Sequence, residues 1–333
     1  MTRLAPYAEL HRNPQGPGDA RPTAIQIVED ERLVASPEWS GRIVFITGCS
    51  PGGLGAEVAR AIRLTGADIF IAVRDINKGR QVALELLSDG RPGKVEVIRL
   101  DLSSLESVLT ASREFLRRSG NKVNVLINNA GVMACPFGET RDGFELQLGH
   151  FYLFHLLRDA LVASSSPSFN SRVVSLSSAS HRYGKINFDD LNFKRTKYDP
   201  LIAYNQSKLA NAYFTNELDR RYQSQGVRAL SVHPGGIITP LSRYPPSTTE
   251  IEGDPVTSKF LQSTAQGAST IVWAAIAKEL EGKGGLYLDE VAEAELTPED
   301  APYYSAGYGA NTFNPQAEKK LWTRSLKLVG LEK

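Results

Sequence analysis

From Gly41 onward the chain alternates short apolar runs with longer amphipathic ones. Arg42-Ile-Val-Phe-Ile-Thr47, Asp68-Ile-Phe-Ile-Ala-Val73, Val95-Glu-Val-Ile-Arg-Leu100 and Val123-Asn-Val-Leu-Ile127 are rich in β-branched residues and have the length of strands. Arg172-Val-Val-Ser-Leu176, Val227-Arg-Ala-Leu-Ser-Val232 and the short Gly285-Leu-Tyr-Leu288 continue the series. Between them, helical spacing predicts helices over Ala56 to Leu64, Lys78 to Leu87, Ser103 to Arg118, Gly143 to Ala163, Leu201 to Gln223 and Thr257 to Leu280. Ser103 and Glu106 stand in capping-box spacing.

Strands alternating with helices of this length predict βαβ units with right-handed crossovers, hence a parallel sheet. Strands that are almost continuously apolar belong in a sheet covered on both faces. No break separates two domains. Residues 41–290 therefore read as one α/β unit, a single doubly wound parallel sheet with helices on both faces, a Rossmann fold. Residues 1–40, with scattered Pro6, Pro14, Pro17 and Pro22, read as an N-terminal arm, flexible over about the first 20. Residues 291–333 read as a C-terminal tail packing on the domain.

Composition narrows the function. The 333 residues are 41% hydrophobic and 23% charged, ordinary for a globular protein, with a net charge of +1. No dense basic run marks a nucleic-acid groove or an anionic-membrane patch. Cys49 and Cys135 form no disulfide framework or metal pair, which fits a reducing, cytoplasmic setting. No apolar run approaches the roughly 18 residues of a membrane span. His150 and His155 are not at metal-ligand spacing and read as packing or surface residues.

The turn Gly48-Cys-Ser-Pro-Gly-Gly-Leu-Gly55, between a strand and a helix, has the make-up of a phosphate cradle. Glycines let the backbone approach a pyrophosphate, and the helix behind offers free N–H groups and its positive dipole end. Gly48, Ser50, Gly53, Leu54 and Gly55 are the candidate contacts. The second strand ends in Arg74-Asp75, with Lys78 a turn on. An arginine there suits a ribose 2′-phosphate, so NADP is expected over NAD; an exposed arginine ending a strand is the plainer alternative. Asp101 is placed for an adenine amine or for capping a helix. Asn128 and Ala130, in Asn128-Asn-Ala-Gly131, end the fourth strand where the backbone must pass a cofactor closely.

These residues, with the serine pair Ser177-Ser178, Tyr204-x-x-x-Lys208 and Pro234-Gly235 to Thr239, resemble the short-chain dehydrogenase/reductase family over roughly 41 to 290. Asn129-Ala-Gly-Val-Met-Ala-Cys-Pro136, Arg141-Asp-Gly-Phe-Glu145, Ser207-Lys-Leu-Ala-Asn211 and Ser231-Val-His-Pro-Gly235 are most similar to its retinol-dehydrogenase-like and WW-domain-oxidoreductase-like branch, without a WW module. Many secondary-metabolite reductases share that branch. The resemblance implies an NADP-dependent oxidoreductase moving a hydride between nicotinamide and a carbonyl or alcohol of a small apolar substrate. It implies catalytic roles for Ser178, with Ser177 as fallback, and for Tyr204 and Lys208. Tyr204 and Lys208, four apart on a helix, share a face. The neighbouring ammonium is expected to lower the phenol's pKa from about 10, so that Tyr204 exchanges a proton with the substrate oxygen. The resemblance also implies that Lys208 holds the nicotinamide ribose and that Pro234, Ile237 and Thr239 close over the nicotinamide. A Ser-His-Asp hydrolase reading lacks a nucleophile elbow.

Two departures stand out. The phosphate loop is one residue longer than the related pattern, near Pro51. Phe144-Glu-Leu-Gln-Leu-Gly-His-Phe151 lacks a stretch that carries the family's fourth catalytic-site member, an asparagine that holds a relay water. Removing about five residues from a helix shortens it by roughly 7.5 Å and turns the remainder by about 140°. Gln147 is a candidate substitute. The same helix supports dimer contacts in the family, so a homo-oligomer stands as one option. The alternative to an enzyme is a cofactor-binding or interaction protein that has lost efficient turnover. The Pro-, Ser- and Thr-rich Pro240 to Pro255 occupies the place of a substrate lid.

Overall fold

The computed structural model describes residues 3–144, 148–242 and 253–332. Gln147 and residues 243–252 of the expected lid lie outside them. The strands are β1 (Ile43–Thr47), β2 (Asp68–Val73), β3 (Val95–Arg99), β4 (Val125–Asn128), β5 (Ser171–Leu176), β6 (Val227–Val232), β7 (Gly236–Ile237), β8 (Leu261–Gln262), β9 (Leu286–Asp289) and β10 (Ala292–Glu293). The helices are α1 (Ala8–His11), α2 (Ala24–Asp30), α3 (Leu54–Arg63), α4 (Ile76–Leu87), α5 (Leu105–Ser119), α6 (Leu148–Ser164), α7 (Pro200–Tyr222), α8 (Thr264–Gly267), α9 (Ser269–Ile276) and α10 (Pro315–Leu328).

The main sheet runs β10-β9-β6-β5-β4-β1-β2-β3 and is parallel except for the β9–β10 pair. Its order reverses between β1 and β4, which opens a crevice at the carboxyl ends of the strands. Both faces are apolar because successive side chains point opposite ways. Val44, Ile46, Ile69, Ile71, Val125 and Ile127 join the core under α2, α3 and α9. Phe45, Phe70 and Leu126 join the opposite core under α5, α6, α7 and α10. There Phe115 of α5 meets Phe45 and Phe70 at centroid distances of 4.4 and 4.9 Å. The expected doubly wound sheet is thus present.

Several local expectations need correction. The N-terminal segment from Arg3 is tied down. Glu293 N donates to Leu4 O at 2.8 Å, and Tyr7 bonds Asp30 at 2.7 Å. The buried Arg21 reaches Gly16 O, Lys259 O and Leu261 O. Helix α5 is capped by Ser104, whose Oγ accepts from Ser107 N at 3.2 Å. Ser103 instead donates to Asp101 at 2.7 Å. The helix expected from Gly143 is described over Leu148–Ser164, and Gly143 itself lies in a turn, its N–H on Thr140 O and its φ +78. Thr257 to Leu280 is not one helix: β8 pairs with β7, and a capping box of Ser263 and Gln266 starts the next helix. Strand pairing outweighs helical propensity there. Helix α10 passed unnoticed, although Asn314 as cap and Pro315 at the first position announce it. Its Trp322 packs on Phe151, Phe154 and Phe214.

Candidate active site

One cleft of about 1020 Å³ lies over the carboxyl ends of the strands. Its floor begins at the glycine turn after β1. A Cβ at Gly48 would lie 2.7 Å from Ala130 Cα, and one at Gly55 would lie 2.6 Å from Asn129 Nδ2. Glycine is therefore required where the turn lies flat on Asn129 and Ala130. Asn129 Nδ2 donates to Thr47 O at 2.7 Å, and Ala130 N donates to Thr47 Oγ1 at 3.0 Å. The extra loop position is absorbed in a turn that Gly53 N closes on Ser50 O at 3.1 Å. Pro51 precedes Gly52 with φ +71 in it, the pairing a type II turn favours. No side chain caps α3, so its first N–H groups face the cleft without a side-chain partner.

Gly48, Ser50, Gly53, Leu54, Arg74, Lys78, Asp101 and Ala130 all line this cleft. Gly55 and Asn128 do not. Gly55 is consumed in packing, and Asn128, 1% exposed, donates to Ser175 Oγ at 3.2 Å on the neighbouring strand. Asn129 takes the cleft-facing place expected of Asn128. The alternation of a strand explains this, since adjacent residues face opposite ways. Asp75 spends its carboxylate on the N–H groups of Asn77 and Lys78, which caps α4. Arg74 before it and Lys78 after it remain as positive charges lining that end. Burial works to raise the Asp101 carboxyl, but bonds from the Ser103 hydroxyl and N–H, with Arg74 and Arg141 nearby, hold it below its ordinary value.

At the other end stand Ser178, Tyr204 and Lys208, joined by Pro234, Ile237 and Thr239. Asp199 caps α7 and Pro200 opens it, which fixes the helix that carries both Tyr204 and Lys208. Tyr204 is 8% exposed and Lys208 7%. Lys208 Nζ lies 5.2 Å from the centroid of the Tyr204 ring. Ser178 follows β5, and its carbonyl is held by His181 Nδ1 at 2.6 Å and by the Tyr287 hydroxyl at 3.1 Å. Burial raises the Tyr204 phenol, the Tyr303 ring adds to the rise, and a bond with Ser178 works against it. The lowering expected from Lys208 does not appear, and burial sets the direction upward.

His150, expected as packing or surface, is buried and faces the cleft. Its Nε2 lies 3.0 Å from Thr47 Oγ1. Burial and the Lys208 charge push its imidazole down to about 3. His155 packs against Phe151 and Trp322.

Part of the cleft wall had no sequence signal. Tyr183, Phe260, Tyr303 and Tyr304 line it, the last two from the tail. Tyr183 stacks on Tyr303, and Phe260 on Tyr304 at 4.2 Å. Ser180 Oγ meets the Tyr303 hydroxyl at 2.9 Å. Arg182 fastens the tail through Tyr303 O and Ser305 O. A tail without periodicity gives no local cue that it will fold back over a site. Among the described residues no cluster of His, Cys, Asp and Glu is arranged to hold a metal, and no helix is long and apolar enough to cross a membrane.

Residues 42–187 match the family described as short chain dehydrogenase. The chain is 43% identical to "Short-chain dehydrogenase/reductase prx1" of Penicillium roqueforti, covering 98% of this chain and 95% of that one. It is 37% identical to "Retinol dehydrogenase 12" of Mus musculus, over 88% and 87%. Among solved structures, an uncharacterized protein from Mycobacterium Paratuberculosis matches with a TM-score of 0.65 and 33% identity, over 88% and 94%. These relatives lend no support to the alternative of a protein without turnover. The chain belongs to the short-chain dehydrogenase/reductase family, in its retinol-dehydrogenase-like part, and is an oxidoreductase of alcohol and carbonyl groups with an NAD(P) cofactor.

Proposed function

We propose that this enzyme takes NADP in preference to NAD and reduces a carbonyl of a small, largely apolar molecule. One observation carries the reading: a single cleft joins Arg74 and Lys78 at one end to Ser178, Tyr204 and Lys208 beneath aromatic walls at the other. The residues fit the cofactor. Gly48 and Gly55 have no room for a side chain, and α3 opens without a cap, as a pyrophosphate requires. Arg74 and Lys78 hold the 2′-phosphate, Asp101 the adenine, and Lys208 the ribose next to the nicotinamide. Pro234, Ile237 and Thr239 cover the nicotinamide. Bound NADPH supplies the hydride.

Ser178 donates a hydrogen bond to the carbonyl oxygen and stabilises the charge that develops there. Tyr204, a phenol with an ordinary pKa of about 10, gives that oxygen its proton. Tyr183, Phe260, Tyr303 and Tyr304 supply the apolar contact area.

The test is oxidation of NADPH and of NADH against a panel of aldehydes and ketones, with wild type beside Tyr204→Phe. NADPH should be used at lower KM than NADH, and Tyr204→Phe should lower kcat by about 10²–10⁴ while still binding NADPH. Turnover that survives in Tyr204→Phe overturns the assigned roles; equal use of NADH overturns the cofactor preference.

A further inference from the structure

Each carbonyl reduced takes a hydride on carbon and a proton on oxygen. If Tyr204 gives that proton, one proton must then reach it from solvent. Tyr204 and Lys208 are both buried, so a path of polar groups has to lead to them. His150 stands where such a path is needed. It sits in the first turn of α6 and shares the cleft wall with Lys208 and Asn211.

One ring nitrogen is fixed. His150 Nε2 lies 3.0 Å from Thr47 Oγ1, and Thr47 Oγ1 also accepts from Ala130 N at 3.0 Å. Thr47 is fully buried at the end of β1, so the ring is anchored to the sheet. Either tautomer leaves Nδ1 for the other side. The ring borders the large cleft and also a second cavity of about 80 Å³ behind it. Asn211 is shared by both spaces, and Asn192, Gln206, Ser207 and Ser325 add polar groups to the small one. Most of that lining is apolar, so water has its polar partners chiefly at the end where His150 and Asn211 also border the large cleft. Burial and Lys208, the charged group acting on the ring, keep the imidazole neutral, with one N–H and one lone pair.

We propose that His150 is a positioning residue of the proton path to Lys208 and Tyr204, holding the water that links them to the cavity between α6, α7 and α10. This rests on the carbonyl-reductase reading above. The chain lacks the stretch, with its helix asparagine, that the family resemblance leads one to expect here, and a histidine anchored by Thr47 is a different solution to the same need. The proton taken up per turnover enters as solvent hydron through the small cavity, passes water held at Nδ1, and replaces the one that Tyr204 has given up through Lys208. No electron moves in this path.

The experiment compares wild type with His150→Phe and His150→Asn, in kcat against pH, in the solvent isotope effect on kcat and in NADPH affinity. His150→Phe should lower kcat roughly tenfold to a hundredfold, less than the 10²–10⁴ of a lost general acid. Its NADPH affinity should stay within about threefold, and its solvent isotope effect should rise. His150→Asn, whose amide can also hold water, should recover most of kcat. If His150→Phe does not fold, Thr47→Val removes the anchor with little change of volume and should show the same shift in pH profile and isotope effect. An unchanged profile and isotope effect in the folded variants overturns the proposal. So does a loss in both His150 variants that follows their melting temperatures alone. A wild type that binds NADPH and turns over no carbonyl overturns the reading beneath it, and this is seen before any variant is made.

Discussion

Ser177 Oγ donates to the carbonyl of Lys208 at 2.8 Å. The bond joins the end of β5 to the middle of α7, and it gives the two adjacent serines different surroundings. Ser177 is used in holding the helix that carries Lys208, while Ser178 is left beside Tyr204. Ser177→Ala should cost about 1 kcal/mol of stability and change kcat little beyond that. Ser178→Ala should lower kcat by about 10²–10³, far beyond the small stability lost with the bond its Oγ accepts from Ser180 N at 3.3 Å. Kinetics and thermal unfolding of the two variants side by side check the assignment; the reverse pattern makes Ser177 the substrate contact.

Arg74 is expected to act through charge. Arg74→Ala should raise the KM for NADPH roughly tenfold to a hundredfold, the range of a lost charged hydrogen bond, and leave the KM for NADH nearly unchanged. Added salt should weaken NADPH binding in wild type more than in the variant. Titration of each cofactor at low and high salt measures both effects. Equal losses for the two cofactors place Arg74 away from the 2′-phosphate.

Arg21 makes the first residues part of the cleft. Its guanidinium, 4% exposed as a residue, pairs with Asp19 at 2.9 Å and reaches the carbonyls of Lys259 and Leu261. Gln266 adds bonds to Gly18 N and Asp19 O. The Arg21-bonded segment leads into β8, which pairs with β7 beside Pro234. Arg21→Ala should cost roughly 3 kcal/mol, because half-buried Asp19 loses its ion-pair partner and the buried Leu261 loses the donor to its carbonyl. Proteolysis near Phe260 should quicken, and the KM for the carbonyl substrate should rise more than that for NADPH. Urea unfolding and limited digestion test this; an unchanged midpoint means the arm is not a structural part of the site.

The buried histidines predict acid lability. His11 and His181 are pushed down to about 4 and His150 to about 3, each chiefly by burial, from an ordinary value of 6.5. His155 and His233 shift the same way. Below pH 6.5 the unfolded chain takes up protons that the folded one refuses. Stability is therefore full above that pH and declines as pH falls toward 4, by about 1.4 kcal/mol per pH unit for each such group. Glu290, raised to about 8 by burial and Asp289, works in the opposite sense, since its stability is lost as pH rises from 4.5. Burial raises Glu31 in the same sense, and several histidines against two glutamates leave the acid loss dominant. Urea midpoints at pH 7.5, 6 and 5 should fall in that order, and His150→Asn should flatten the slope; midpoints that rise toward pH 5 contradict it.

The sequence by itself determined the layers, and the reason is periodicity. Nearly continuous apolar runs such as Ile43 to Thr47 and Asp68 to Val73, separated by stretches of helical spacing, are enough to require a covered parallel sheet. It also placed Gly48, Arg74, Asp101, Ser178, Tyr204 and Lys208 at strand ends or on one helix, so their arrival in one cleft follows from the fold class. Tertiary structure decided what no local pattern encodes. Which neighbour in a pair faces the cleft, Asn129 and not Asn128, depends on the exit of β4. Whether Thr257 to Leu280 is a helix depends on β7 offering Leu261 a partner. Tyr303 and Arg21 lie far along the chain from Tyr204, and only packing brings them to the cleft. His150 reads as a surface or core residue until the structure sets its ring between Thr47 and the wall that holds Lys208. Contacts distant in sequence leave no mark on a local window, because their energy comes from burial against residues the window does not contain.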